Sequence, residues 1–91
     1  METRVAIIGI IVEDMQSAEP LNRILHEYSN YVIARTGIPY RERGIKIISI
    51  VVDAPGDIIS SMSGKIGLLP GVTAKAVYSK LPENKNEITD R

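Results

Sequence analysis

The sequence contains no cysteine, no tryptophan and no phenylalanine, and it has a single histidine. Without cysteine there is no disulfide, no thiolate metal site, no iron–sulfur cluster and no cysteine nucleophile, a composition compatible with a reducing, cytoplasmic setting. One histidine builds no transition-metal site unless carboxylates or symmetry-related copies complete the shell. The four tyrosines are the only aromatics, and none falls in the strands expected at the centre of a sheet, so RNA recognition by base stacking on a sheet face is excluded. An excess of one charge is missing too. Eleven Lys+Arg balance eleven Asp+Glu, so no whole-chain field gathers the phosphates of nucleic acid or of a membrane surface. The apolar run from Val5 to Val12 is far below the roughly twenty residues that span a bilayer. It also lacks the basic segment and small-residue cleavage site of a signal peptide.

What is present is enough for one small domain. The 91 residues are too few for two separate cores, and the expected division is a single domain over 1–80 followed by a polar, non-periodic tail over 81–91. Val5-Ala6-Ile7-Ile8-Gly9-Ile10-Ile11-Val12 is β-branched and short, which predicts a strand. Ser17 is the expected helix N-cap, with Asp14 followed by a kink as the competing choice. Leu21, Ile24, Leu25, Tyr28 and Val32 share one stripe of a 3.6-residue period, predicting a helix that ends near Thr36-Gly37.

Ile38 to Glu42 then predict a short strand. Its proline, Pro39, belongs at a sheet edge because it cannot donate to a ladder. Glu42-Arg43-Gly44 supplies a tight turn, and Ile45 to Val52 the return strand. Asp53 to Asp57 form a loop, Ile58, Met62, Ile66 and Leu69 the stripe of a second helix, and Val72 to Tyr78 a last strand. The order βαββαβ predicts an α+β, ferredoxin-like fold: a four-stranded antiparallel sheet with both helices on one face, strands one and three central.

Such a sheet should alternate apolar and polar residues, because only one of its faces meets the helices. Strand one instead offers Ala6, Ile8, Ile10 and Val12 on one side and Val5, Ile7 and Ile11 on the other. Strand three offers Ile48, Ile50 and Val52 against Ile47 and Val51. A second copy is expected to cover the unpartnered face, giving a homodimer or homotetramer, and Ala6, Ile8, Ile10, Ile48 and Ile50 are taken as the self-contact.

Three segments carry a family likeness: RVAIIGIIVED, then LNRILHEYSNYVIARTGIPYRERGIKIISIVVDAP, then SGKIGLLPGVTAKAVYSK. Together they resemble a small family of regulators of the iron-only hydrogenase system, an ACT-like ferredoxin-fold group. That family is in turn similar to the C-terminal effector domain of the nickel-responsive transcriptional repressor. The resemblance implies an oligomeric regulatory module with a small-molecule effector or a protein partner. The repressor's nickel site does not carry over, because Gly37-Ile38-Pro39-Tyr40 holds no histidine and no cysteine is present. The chain begins at strand one without a ribbon-helix-helix segment, so direct nucleic-acid binding is not expected.

Candidate effector-binding side chains are His26, Tyr40, Arg41 and Arg43; no cofactor, metal site or catalytic group is assigned. His26 lies about 140° around the first helix from Leu21, on the side of Ile33, where a solvent or interface role competes with ligand binding. Arg35, Tyr40, Arg41, Glu42 and Arg43 concentrate hydrogen-bonding groups at one end of the sheet, where Arg41 and Arg43 could clamp an anion with Tyr40 closing over it; edge-strand protection is the plainer account of the same charges. Ser63-Gly64-Lys65 lacks the upstream glycine of a phosphate loop, and Gly64 and Gly67 point to close helix packing. Asp14, Asp53 and Asp57 sit in positions that cap helices. The alternative to a regulator is a small dimeric α+β-barrel-type enzyme with a pocket between subunits.

Overall fold

A computed structural model of the chain describes residues 2–80, so the tail expected over 81–91 lies outside the described residues. Strand β1 spans Arg4–Val12, helix α1 Ala18–Glu27, strand β2 Val32–Tyr40, strand β3 Ile45–Ala54, helix α2 Gly56–Gly67 and strand β4 Val72–Tyr78. The strand order is β2-β3-β1-β4 and every pairing is antiparallel. This is the expected ferredoxin-like arrangement, with β1 and β3 central and the proline-bearing β2 at an edge.

One face of the sheet and the two helices make the core. Ala6, Ile8, Ile10 and Val12 of β1 and Ile48, Ile50, Val52 and Ala54 of β3 are buried against Leu21 and Leu25 of α1 and Ile59, Met62 and Ile66 of α2. The expected self-contact set is therefore corrected. Ala6, Ile8, Ile10, Ile48 and Ile50 form the hydrophobic core of a single copy and reach no outer surface; Ile8 is 0% exposed. Both faces of β1 and β3 are aliphatic, so residue type alone does not distinguish the helix side from the outer side. The outer side carries Val5, Ile7, Ile11 and Ile47, with Ile7 47% exposed.

Helix α1 ends nine residues earlier than Thr36-Gly37 suggested. The chain leaves the helix at Tyr28, makes a 3₁₀ turn over Ser29–Tyr31, and starts β2 at Val32. Ser29 and Asn30 favour turns over helix interiors, and Val32, Ile33 and Thr36 are β-branched. Val32 matches the helical phase by coincidence. It pairs with Val52 in the sheet and packs on the core from there.

At the helix start Asp14, the competing choice, is the side chain that caps. Asp14 accepts a hydrogen bond from the Gln16 amide at 2.9 Å and caps a 3₁₀ turn, Met15–Ser17, that runs into α1. Ser17 makes no capping bond; its buried hydroxyl donates to the Pro70 carbonyl at 2.6 Å. Asp53 is also reassigned: it lies inside β3, paired with Val5. Asp57 alone stands in the first turn of α2.

Two connections at one end of the sheet are thereby tied together. The Glu13 amide donates to the Gly71 carbonyl at 2.7 Å. Gly71 has φ +67, and a Cβ there would lie 2.6 Å from the Asp14 Cβ. Gly44, which closes the β2–β3 turn, has the same φ but open space around it. Gly44→Ala is therefore expected to cost about 1–2 kcal/mol from backbone strain, and Gly71→Ala clearly more, since the Asp14 backbone must also move. Urea unfolding of the two variants checks the order.

Gly64 and Gly67 do not mark close packing, because a Cβ at either would meet nothing within 4 Å. Gly64 lies within α2 and is exposed. Gly64→Ala is accordingly expected to stabilise the protein by about 1 kcal/mol, read as a higher urea midpoint at unchanged slope.

Candidate functional site

The four candidate side chains do not converge. His26 stands near the end of α1 and lines a groove between that helix and β2. Arg41 lines a separate apolar hollow of about 510 Å³ under the hairpin end, beside Met15, Pro39 and Lys46. Tyr40 ends β2 opposite Ile45. Arg43 is exposed in the 3₁₀ turn Arg41–Arg43. Ile33, expected beside His26 on the helix, belongs to β2 and is exposed.

The groove holding His26 is the better-furnished site. It encloses about 380 Å³. Its floor is apolar, made by Leu25, Val32 and Ile50, and its polar wall is Asn22, His26, Ser29 and Arg35. Arg35 donates from Nη2 to Oδ1 of Asn22 at 2.9 Å, so one nitrogen of the guanidinium is fixed and the rest of the fork stays available. No carboxylate lines the groove. Among the described residues no group of three or more His, Asp and Glu is placed to hold a metal ion.

Arg35 reaches this groove because of an irregularity in β2. Val32 pairs with Val52 and Ala34 with Val51, so Ile33 is an extra residue in the ladder. Unbroken pairing from Val32 would set Ala34 opposite Ile50 on the helix side. The bulge instead places Arg35 opposite Ile50, and the alternation that follows sends Thr36, Ile38 and Tyr40 to the outer face. Sequence reading grouped Arg35 with Tyr40 to Arg43 at one end of the sheet, apart from His26, because it carried the helix through residue 35. The turn formers Ser29-Asn30 followed by a β-branched run were the available signal.

A second polar cluster joins the two helices. The Tyr28 hydroxyl lies 3.3 Å from Ser61 Oγ, Lys65 Nζ sits 5.2 Å from the Tyr28 ring centroid, and Lys65 Nζ is 3.8 Å from Glu27 Oε1. The Ser61 hydroxyl, and then Lys65, hold the Tyr28 phenol below its ordinary value of 10.0. Tyr28, and then Glu27, raise Lys65 above its ordinary 10.5. The Lys65 contribution is present at neutral pH and fades as pH rises through its raised value, whereas the Tyr28 contribution arises only in alkali. The cluster is a surface stitch between α1 and α2.

A family model described as "TM1266-like: Iron-only hydrogenase system regulator, putative" matches residues 4–76. The chain belongs to this family. Among solved structures, this TM1266-like chain is similar to the uncharacterized protein TM1266 from Thermotoga maritima, at 35% identity and a TM-score of 0.83, over 87% of this chain and 100% of that one. It is also similar to a formyltetrahydrofolate deformylase from Pseudomonas putida KT2440, at 16% identity and a TM-score of 0.58, over 80% of this chain and 28% of that one. The second likeness concerns the fold alone. No curated protein matches the chain, and no helix among the described residues is long and apolar enough to cross a membrane.

Arg35 and Asn22 are exposed, and an exposed polar pair contributes little to folding. Arg35→Gln and Asn22→Ala are each expected to change the unfolding free energy by less than about 0.5 kcal/mol. Chemical denaturation checks this, and a larger loss would assign the pair to scaffolding.

Proposed function

We propose that this chain is a cytoplasmic, non-catalytic regulatory module of an iron-only hydrogenase system, that it works as a homodimer through the outer face of its sheet, and that it senses a small effector without itself touching nucleic acid. Family membership supports the regulatory part. The observation that carries the assembly is the outer face of the sheet, which the helices leave uncovered.

That face has an ordered layout. One row across the sheet is Ala34, Val51, Ile7 and Val77; the next is Thr36, Ser49, Gly9 and Lys75; the third is Ile38, Ile47, Ile11 and Thr73. Two aliphatic rows thus flank a row of mostly small residues. Val77 is 68% exposed and Ile38 52%. Together the exposed aliphatics present on the order of 500 Å² of apolar surface, at the upper end of what a monomer usually shows as its largest patch. With the small-residue row and the rim the face reaches roughly the 800 Å² per partner that a standard interface buries. A second copy offers the same ridges and furrow, so a two-fold pairing matches apolar rows on both sides.

An enzyme with its pocket between subunits would need a cavity at the sheet face. Aliphatic ridges that can seat on one another favour a filled interface instead.

Sedimentation equilibrium is expected to give a dimer for the natural chain at micromolar concentration. Ile7→Glu with Ile47→Glu should raise the dissociation constant about 100-fold or more, because it places carboxylates in the middle of the contact, while leaving the circular dichroism spectrum intact. A natural chain that stays monomeric would remove the assembly. For the regulatory role, deleting the gene from a host with an iron-only hydrogenase should change hydrogenase transcript or activity; unchanged levels across growth conditions count against it.

A further inference from the structure

We infer that the groove between α1 and β2 is a binding site for a small monocarboxylate with a short aliphatic tail, the carboxylate held by Arg35 and the tail lying on the apolar floor. This deepens the effector-sensing role proposed above and rests on it for its physiological meaning, but the binding itself stands on the groove alone.

The groove supplies a positive group with no carboxylate beside it. Arg35 hydrogen-bonds a neutral amide, Asn22 Oδ1 at 2.9 Å, and has no carboxylate partner among the described residues. A guanidinium pinned at one nitrogen is pre-oriented, and its planar fork matches a carboxylate through two parallel N–H···O bonds. His26 and Ser29 stand on the same wall and add an imidazole and a hydroxyl that can donate to the remaining lone pairs. The floor of Leu25, Val32 and Ile50 suits an aliphatic chain. A cavity of about 380 Å³ lies at the small end of the range for ligand sites.

The position of Arg35 depends on the Ile33 bulge, which sets it opposite Ile50 on the helix side of an edge strand. Bulges of this kind re-aim side chains and cluster beside functional sites.

The local electrostatics select the charge of the ligand. Of the wall residues, Asn22 lies mid-helix, His26 in the last turn of α1 and Ser29 in the turn after it, so the negative end of the helix dipole adds to one side of the groove. A single guanidinium there balances one negative charge and not two, and no helix N-terminus or glycine-rich loop lines the groove to cradle a phosphate. A monoanion is favoured over a dianion.

The test is a ¹H–¹⁵N correlation titration of the full chain with butyrate, its neutral isostere butyramide, and inorganic phosphate at equal ionic strength. Butyrate should produce saturable shifts centred on the amides of Asn22, His26, Ser29 and Arg35. Butyramide should bind at least tenfold more weakly, and Arg35→Gln should lose at least tenfold for butyrate while keeping native dispersion. Arg35→Lys, which keeps the charge and loses the fork, should fall between. Absence of saturable shifts at these amides overturns the proposal, as does phosphate binding there as well as or better than butyrate. Every lining residue comes from one chain, so the Ile7→Glu, Ile47→Glu variant should still bind butyrate. Failure of the groove then leaves the sedimentation result standing, and failure of the dimer leaves the titration standing.

Discussion

The constraint on which the rest depends is the two-sided burial demand of β1 and β3. These strands occupy the middle of the sheet, and both of their faces are aliphatic. The two helices cover one face completely, and the core so formed, from Ala6 through Ile8, Ile10, Ile48, Ile50 and Val52, is close to fully excluded from solvent. Burying each such side chain is worth roughly 1.5–3 kcal/mol, in a domain that has no cysteine from which to form a disulfide. The other face repeats the same chemistry without a cover. The homodimer proposed above would supply that cover from a second copy.

Helix α2 packs along β4 and also reaches β1 and β3, whereas α1 leaves β2 largely uncovered. Strand β2 is exposed on both sides over most of its length, and the space left between it and α1 becomes the groove that Arg35 and His26 line. The opposite end of the sheet is different in character. There the Ser17 hydroxyl, the Glu13 amide and the close approach of Gly71 to Asp14 bind the β1–α1 connection to the α2–β4 connection. One end is fastened, and the open side is furnished with polar groups.

Much of this was legible in the residues. β-branched runs gave the central strands, Pro39 marked the edge strand, and the alternation of element types gave the topology. What failed did so for identifiable reasons. Val32 fell in helical phase with Leu21, Ile24 and Leu25 although Ser29 and Asn30 had already turned the chain, so helix and strand were confused across that segment. The choice of which aliphatic set faces the helices could not be made from type, since both sets are of the same type. For the site, His26 was found because it is the sole histidine, whereas Arg35 was grouped with the Tyr40–Arg43 end of the sheet and not with His26, because its side depends on a one-residue bulge that only long-range pairing creates. Asp14 and Ser17 were both recognised, but the division of labour between them required knowing that Pro70 lies opposite.

Strand β2 has a property that follows from its alternation. Arg35 faces the groove, and its neighbours Thr36, Ile38 and Tyr40 face the outer surface. A single backbone therefore borders both the proposed effector groove and the proposed self-contact, with no intervening layer. Were the proposed occupancy and the proposed self-association coupled through this strand, reciprocity would make the effect of each on the other equal in free energy.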